Sequence, residues 1–152
     1  MTLHLVALAA PLAAAALWCL LLNSVNTDGI AWRQFLLFGG LGAISAQVAA
    51  LLRWRALERR AREGSGAWLT GIGMAAITHL LFAAFGELLL VVSVGGWLHA
   101  AGTGRGSDIV IQMIFFLLVS IFAVGAITFP STALLVQWIA NMLRKELAHA
   151  AP

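Results

Sequence analysis

Two titratable side chains, Glu87 and His79, lie within one long apolar stretch of the sequence. A carboxylate inside hydrocarbon costs several kcal/mol unless it is paired, hydrated or protonated, so Glu87 has the greatest chemical weight of any residue in the chain. One interpretation is a proton or cation site, or a polar ring around an oligomeric pore. The other is a neutral acid that braces two helices through a hydrogen bond. The sequence leaves both open.

His79 precedes Glu87 by eight residues, and eight helical steps leave the two side chains about 80° apart on one broad face. Small polar residues elsewhere could join them in an intramembrane polar site. We predict that this site includes Glu87, His79, Ser93, Thr128 and Gln112.

Gln112, Ser120 and Thr128 recur every eight residues in the last apolar segment. In a regular α-helix this spacing drifts by about 80° per step, so the three residues are expected to spiral around the helix. Ordinary hydrogen bonds between helices are therefore favoured over a continuous polar lining.

Catalytic and metal-binding patterns are weak in this sequence. Cys19 is the single cysteine and lies in an apolar run, where it acts as a small hydrophobe. His4 and His99 are expected at the membrane interface, too far from His79 to complete a haem or zinc site. We predict no enzyme activity, catalytic residue, metal site or cofactor.

The segment that carries Glu87 has the length of a membrane span. Trp68 and Trp97 are 29 residues apart, which a helix converts to about 43 Å, close to the thickness of a bilayer with its headgroups. The composition agrees, because 62% of the 152 residues are hydrophobic and only 10% are charged. A soluble domain carries about 25% charged residues, so a membrane protein is indicated.

The apolar pattern predicts an all-α fold, a polytopic transmembrane four-helix bundle in a single domain, 1–152. The helices are predicted at about 3–22, 30–52 with an extension to about 62, 67–100 and 108–143. The first segment is interpreted as a retained span, since it lacks the basic start of a signal peptide, which is the alternative. Pro130 is expected to bend the last helix.

Small residues follow a helical spacing in the second predicted helix, and they are predicted to mediate helix packing. Such residues let two backbones approach closely in a membrane. Packing inside the bundle is favoured over a dimer seam. The residues are Gly39, Gly42, Ala43, Ala46 and Ala50.

Five of the nine basic residues fall within ten positions of one connection, and these are Arg53, Arg55, Arg59, Arg60 and Arg62. Such a cluster is typical of a cytoplasmic loop that contacts anionic lipid or a partner, and nucleic acid is not expected. With both termini cytoplasmic, seven basic residues lie inside and only Arg33 and Arg105 outside, which favours this orientation.

Together these features predict a small integral membrane protein, in a bacterial inner (plasma) membrane. It would act as an oligomeric channel-like module or as the membrane subunit of a larger complex. The alternative is a proton-coupled carrier of a small lipophilic or cationic solute that uses Glu87. Homo-oligomerisation or other membrane subunits are the expected partners.

Overall fold

The computed structural model describes residues 2–25, 35–93 and 106–150. These residues are helical except for a turn over 63–67, and they contain no strand. The all-α class predicted from the sequence is therefore confirmed for the part of the chain that is described.

The described residues form five α-helices and two π-helical turns. The helices are α1 (Thr2–Val25), α2 (Gly40–Arg62), α3 (Trp68–Ser93), α4 (Gly106–Ser120) and α5 (Ala126–Ala150). A π-helical turn at Phe35–Gly39 leads into α2, and another at Ile121–Gly125 joins α4 to α5.

The predicted boundaries differ from the observed ones mainly in the last helix. It was predicted as one segment over 108–143, whereas the helical path begins at Gly106, passes through the π turn and continues to Ala150. The predicted residues 30–34 of the second helix and 94–100 of the third lie outside the described part of the chain.

Within the described part of the chain, three helical segments are long and apolar enough to cross a membrane: Leu37–Arg62, Trp68–Leu89 and Ile109–His149. Large apolar side chains are exposed on the last of them, with Phe122 81% and Leu134 72% exposed. Exposed apolar surface of this extent is unfavourable in water, so these helices indicate a membrane protein. The shorter apolar stretch in α1 is Leu3–Ala13, and a fourth span stays a prediction.

A buried apolar cluster joins the beginnings of α1 and α3 to the ends of α2 and α5. Because all four contribute, they meet at one end of the bundle, which is also where the arginine-rich end of α2 lies. The buried members of this cluster are Leu3, Ala50, Leu57, Ala61, Ala67, Met74, Val136, Ile139 and Ala140.

The turn between α2 and α3 is fastened to α5 by two hydrogen bonds. The backbone N–H of Ala67 donates to Gln137 Oε1 at 2.6 Å, and Arg144 Nη2 donates to the carbonyl oxygen of Ser65 at 3.2 Å. Gly64 has a φ of 70°, a left-handed conformation that a glycine adopts without strain. The turn is thus fixed by its neighbour as well as by its own sequence.

Of the predicted packing residues, Gly42 of α2 lies against α1, and the others are buried or half-buried. A Cβ added to Gly42 would lie 3.2 Å from Pro11 Cβ. Ala43 and Ala50 are buried and Ala46 is half-buried, while Gly39, at the end of the π turn, is also buried.

A pair of hydrogen bonds also joins α1 to α2. Gln47 Nε2 donates to the carbonyl oxygen of His4 at 2.6 Å, and Gln47 Oε1 lies 3.0 Å from His4 Nδ1. Both polar groups of one amide are therefore used between these helices.

Gly71 brings the backbones of α3 and α5 into close contact. A Cβ on Gly71 would lie 2.6 Å from the Cα of Ala133 and 2.8 Å from the carbonyl oxygen of Thr132. No side chain fits in that space without moving a backbone, so glycine is required here.

Pro130 lies inside α5 rather than ending it. Proline has no N–H, and its ring crowds the preceding turn, which disrupts hydrogen bonds there. The hydroxyl of Ser131 donates to the carbonyl oxygen of Ile127 at 2.6 Å, so this carbonyl has a side-chain partner. The bend expected at Pro130 stays a prediction, and a π turn ends five residues earlier, at Gly125.

Candidate functional site

The buried face of α3 follows every fourth residue, and its two titratable side chains both lie on it. The residues are Ala75, His79, Ala83, Glu87 and Val91, all of them buried. Residues four apart lie on adjacent turns of the same helix face, so this stripe faces the other helices and not lipid. His79 and Glu87 are separated along it by the single methyl group of Ala83.

His79 contacts two hydroxyl groups that lie on either side of the π turn between α4 and α5. Its Nδ1 lies 2.7 Å from Ser120 Oγ and its Nε2 lies 2.7 Å from Thr128 Oγ1. A neutral imidazole donates from one nitrogen and accepts at the other, and each hydroxyl can take either role. The ring also stacks on Phe129, with centroids 5.4 Å apart. His79 is therefore satisfied on both nitrogens and fixed in orientation.

The π turn at Ile121–Gly125 is what brings these two hydroxyls to one imidazole. In a regular α-helix, Ser120 and Thr128 would be about 80° apart in rotation. A π-helical turn contains one extra residue, so the same eight residues complete about two turns and end within about 20° of alignment. The predicted spiral of Ser120 and Thr128 is thus wrong, because the helix is not regular between them.

Glu87 is the other buried polar side chain of this stripe, and it has a different environment. Its side chain is 3% exposed, and neither carboxyl oxygen has a hydrogen-bond partner among the residues that the structure describes. A charged carboxylate with no donor is strongly disfavoured in such a place, whereas a proton or a cation would compensate it. Glu87 thus has unused binding capacity, in contrast to His79.

The other predicted members of the polar site are distributed differently. Thr128 contacts His79 as described, whereas Gln112 is exposed on α4. Ser93 ends α3, and its side chain lies outside the described part. Ser120, which contacts His79, was not among the predicted site residues. The signal that could have found it was its eight-residue spacing from Thr128, together with a π turn that sequence periodicity does not reveal.

Most of the basic cluster lies on the exposed surface of the end of α2. Arg62 donates to Glu58 at 2.6 Å, one turn away, and Arg60 donates to Ser65 Oγ at 3.4 Å. Arg55 and Arg59 are exposed. Arg53 differs from them, since it is half-buried.

Metal ligands are not grouped in the part of the chain that the structure describes, where no three His, Cys, Asp or Glu side chains are placed to hold an ion. No protein-family model matches the chain, and comparisons with curated proteins and with solved structures give no match either. The function must therefore be argued from the site itself.

Proposed function

We propose that the protein is a proton-coupled carrier of a small lipophilic or cationic solute, with Glu87 as the exchange site. The observation that carries this proposal is the buried carboxyl group, neither oxygen of which has a hydrogen-bond partner within residues 2–25, 35–93 and 106–150. A structural brace would use those oxygens in hydrogen bonds, as His79 uses both of its nitrogens.

The burial of Glu87 within one chain favours a carrier over a pore between subunits. A carboxylate that lines a pore between copies would be exposed in an isolated chain, and Glu87 is not. An enclosed acid suits alternate binding, in which a proton leaves the carboxyl group and a cation takes its place, so that the site never remains charged and empty.

His79 lies eight residues from Glu87, or about 12 Å along the helix axis. That distance is too long for a direct hydrogen bond, so His79 would not exchange protons with Glu87 directly. Its proposed role is to hold α3 against α4 and α5 beside the exchange site, through Ser120 and Thr128.

We further propose that the chain spans a bacterial inner membrane four times, with α1 as a span and both termini in the cytoplasm. Support comes from the charge distribution, because seven basic residues lie at the end of the bundle where α2 and α5 finish. The positive-inside rule places that end in the cytoplasm.

Transport by purified protein in liposomes tests the carrier. The probe is tetraphenylphosphonium, a lipophilic cation, which is loaded inside the vesicles. The outside is then made more acidic, so that inward flow of protons can drive the cation out. Wild type is expected to release the cation faster than protein-free vesicles, and Glu87→Gln is expected to abolish the difference. The matched control is Glu146→Gln, which makes the same change at an exposed glutamate of α5. Equal release by wild type and Glu87→Gln would contradict the proposal.

A second candidate is an oligomeric channel-like module or membrane subunit. Gln112 favours it, because this amide is exposed within the apolar run 109–119 of α4, where lipid offers it no hydrogen bond. A second copy or another subunit would offer one. The oligomeric state in nanodiscs tests this candidate: wild type is expected to self-associate and Gln112→Leu to weaken the association, with conductance that needs no proton gradient. A monomer with no conductance would exclude a pore formed by copies of this chain.

A further inference from the structure

Arg53 occupies a place on a buried face of α2 whose nearest members are apolar. The buried residues along this face follow every fourth position, with Ala49 before Arg53 and with Leu57 and Ala61 after it. Residues at this spacing share one face of a helix. Arg53 therefore belongs to the face that packs into the bundle, whereas Arg55, Arg59 and Arg60 are exposed to solvent.

The guanidinium group of Arg53 lies on the bare backbone of Gly73 in α3. A Cβ added to Gly73 would lie 2.5 Å from Arg53 Nη2 and 3.2 Å from Cζ and from Nε. Only a residue without a side chain leaves this space to the guanidinium. Gly73 thus forms a seat that holds Arg53 between α2 and α3.

Arg53 has no acceptor in the part of the chain that the structure describes. Its Nε is buried without a hydrogen-bond partner, and the described residues provide it with no ion pair. Arg62 pairs with Glu58, and Arg144, whose Nε is likewise buried without a partner among the described residues, donates its Nη2 to the carbonyl oxygen of Ser65. A half-buried guanidinium without an acceptor is unfavourable unless an anion completes it.

The depth of this seat indicates which anion is available. Arg53 adjoins Trp54, and Gly73 follows Trp68 by five residues, or about 7.5 Å of helix. Tryptophan concentrates at the membrane interface, where lipid phosphates are abundant. A guanidinium binds phosphate with two parallel hydrogen bonds, which is the chemistry that the seated Arg53 can offer.

We propose that Arg53, seated on Gly73, binds a phosphate oxyanion between α2 and α3, supplied by a lipid headgroup or by free phosphate. This site is independent of Glu87, because it uses other residues and binds an anion. Its failure would leave the proposed transport function untouched, and the reverse also holds.

The test measures the thermal stability of the full-length protein in detergent during titration with three probes. These are phosphatidylglycerol, inorganic phosphate and diacylglycerol, which has the lipid chains without the phosphate. Phosphatidylglycerol is expected to raise the melting temperature of wild type, and diacylglycerol is expected to leave it unchanged. If inorganic phosphate raises the melting temperature as much as phosphatidylglycerol does, the ligand is free phosphate. If inorganic phosphate leaves the melting temperature unchanged, the ligand is the lipid headgroup. Either result supports the site.

Three variants separate the site from general electrostatic attraction. Arg53→Gln is expected to weaken the apparent affinity for the effective probe about tenfold or more, the value for loss of a charge-assisted hydrogen bond. Arg55→Gln removes the same charge from an exposed position and is expected to change it less than threefold, since exposed charges contribute little. Gly73→Ala keeps every charge but fills the seat, and it is expected to resemble Arg53→Gln.

Gly73→Ala also keeps the test decisive if Arg53→Gln does not fold. Alanine has a higher helix propensity than glycine, and the atoms that its Cβ would displace are the flexible end of the Arg53 side chain. We therefore expect Gly73→Ala to fold. Equal losses for Arg53→Gln and Arg55→Gln would overturn the proposal. So would an unchanged affinity in Gly73→Ala, or stabilisation by diacylglycerol equal to that by phosphatidylglycerol.

Discussion

Removing the hydroxyl of Thr128 tests whether His79 holds α3 against the last helix. Thr128→Val keeps the shape of the side chain and leaves His79 Nε2 without its partner at 2.7 Å. An unsatisfied buried group costs about 1–3 kcal/mol, while hydrogen bonds between membrane helices average about 0.6 kcal/mol. We therefore expect a loss of about 1 kcal/mol in the free energy of unfolding.

The assay is unfolding in mixed micelles, followed by loss of helicity as the fraction of denaturing detergent rises. Thr132→Val is the matched control, since it makes the same substitution one turn further along α5. A double-mutant cycle with His79→Leu then isolates the bond, because Thr128→Val should have almost no further effect once the imidazole is gone. Equal losses for Thr128→Val and Thr132→Val, or full additivity with His79→Leu, would refute the reasoning.

Deleting Ala123 tests the π turn in the same assay. This exposed residue lies within Ile121–Gly125, and its removal would restore a regular α-helix. The seven steps that remain in a regular helix leave Ser120 and Thr128 within about 20° of alignment, as the π turn does with eight. We therefore expect the deletion to keep both hydroxyls on His79, so that Thr128→Val costs about 1 kcal/mol in the deletion variant as it does in wild type. Loss of that cost in the deletion variant would contradict the π turn as the source of the alignment.

Two further predictions concern packing and the turn. Gly71→Ala should destabilise the protein by about 1–3 kcal/mol, because the added Cβ would lie 2.6 Å from Ala133 Cα. Gly86→Ala is the control and should be neutral or stabilising, because no described atom lies within 4 Å of the Cβ that it adds. Unfolding in mixed micelles compares them, and equal effects would contradict the close approach. Gln137→Leu should expose the turn to proteolysis because it removes the acceptor of the Ala67 N–H, and an unchanged cleavage rate would show that this bond is dispensable.

Composition was sufficient to predict an all-α membrane protein. With few charges and long apolar runs, only helices can satisfy the backbone in lipid. Trp68 was predicted as the edge of a span, and α3 begins there. The end of α2 near Arg62 was also predicted, since glycine and serine follow it at once.

The inner face of α3 could not be predicted from periodicity. This helix is apolar on all sides, so its pattern does not separate a face toward lipid from a face toward the bundle. Glu87 was identified by its type alone, and its burial comes from the tertiary packing. The alignment of Ser120 with Thr128 was missed for another reason, since a π turn changes the helical period locally and has no distinct sequence signature.

Arg53 was predicted only as one member of the basic cluster. Its difference from Arg55 depends on Gly73, which lies in another helix, 20 residues away in sequence. Contacts between distant residues of this kind are fixed by how the helices pack, and the sequence of one helix does not reveal them.

Labelling with dicyclohexylcarbodiimide, an apolar reagent that attacks protonated carboxyl groups, tests the central claim most directly. Peptide mapping by mass spectrometry of protein in liposomes would locate the adduct. The account predicts labelling at Glu87 and not at the exposed Glu63 and Glu146, and it predicts that tetraphenylphosphonium reduces the labelling. An unlabelled Glu87, or labelling that the cation leaves unchanged, would contradict its role as an exchange site.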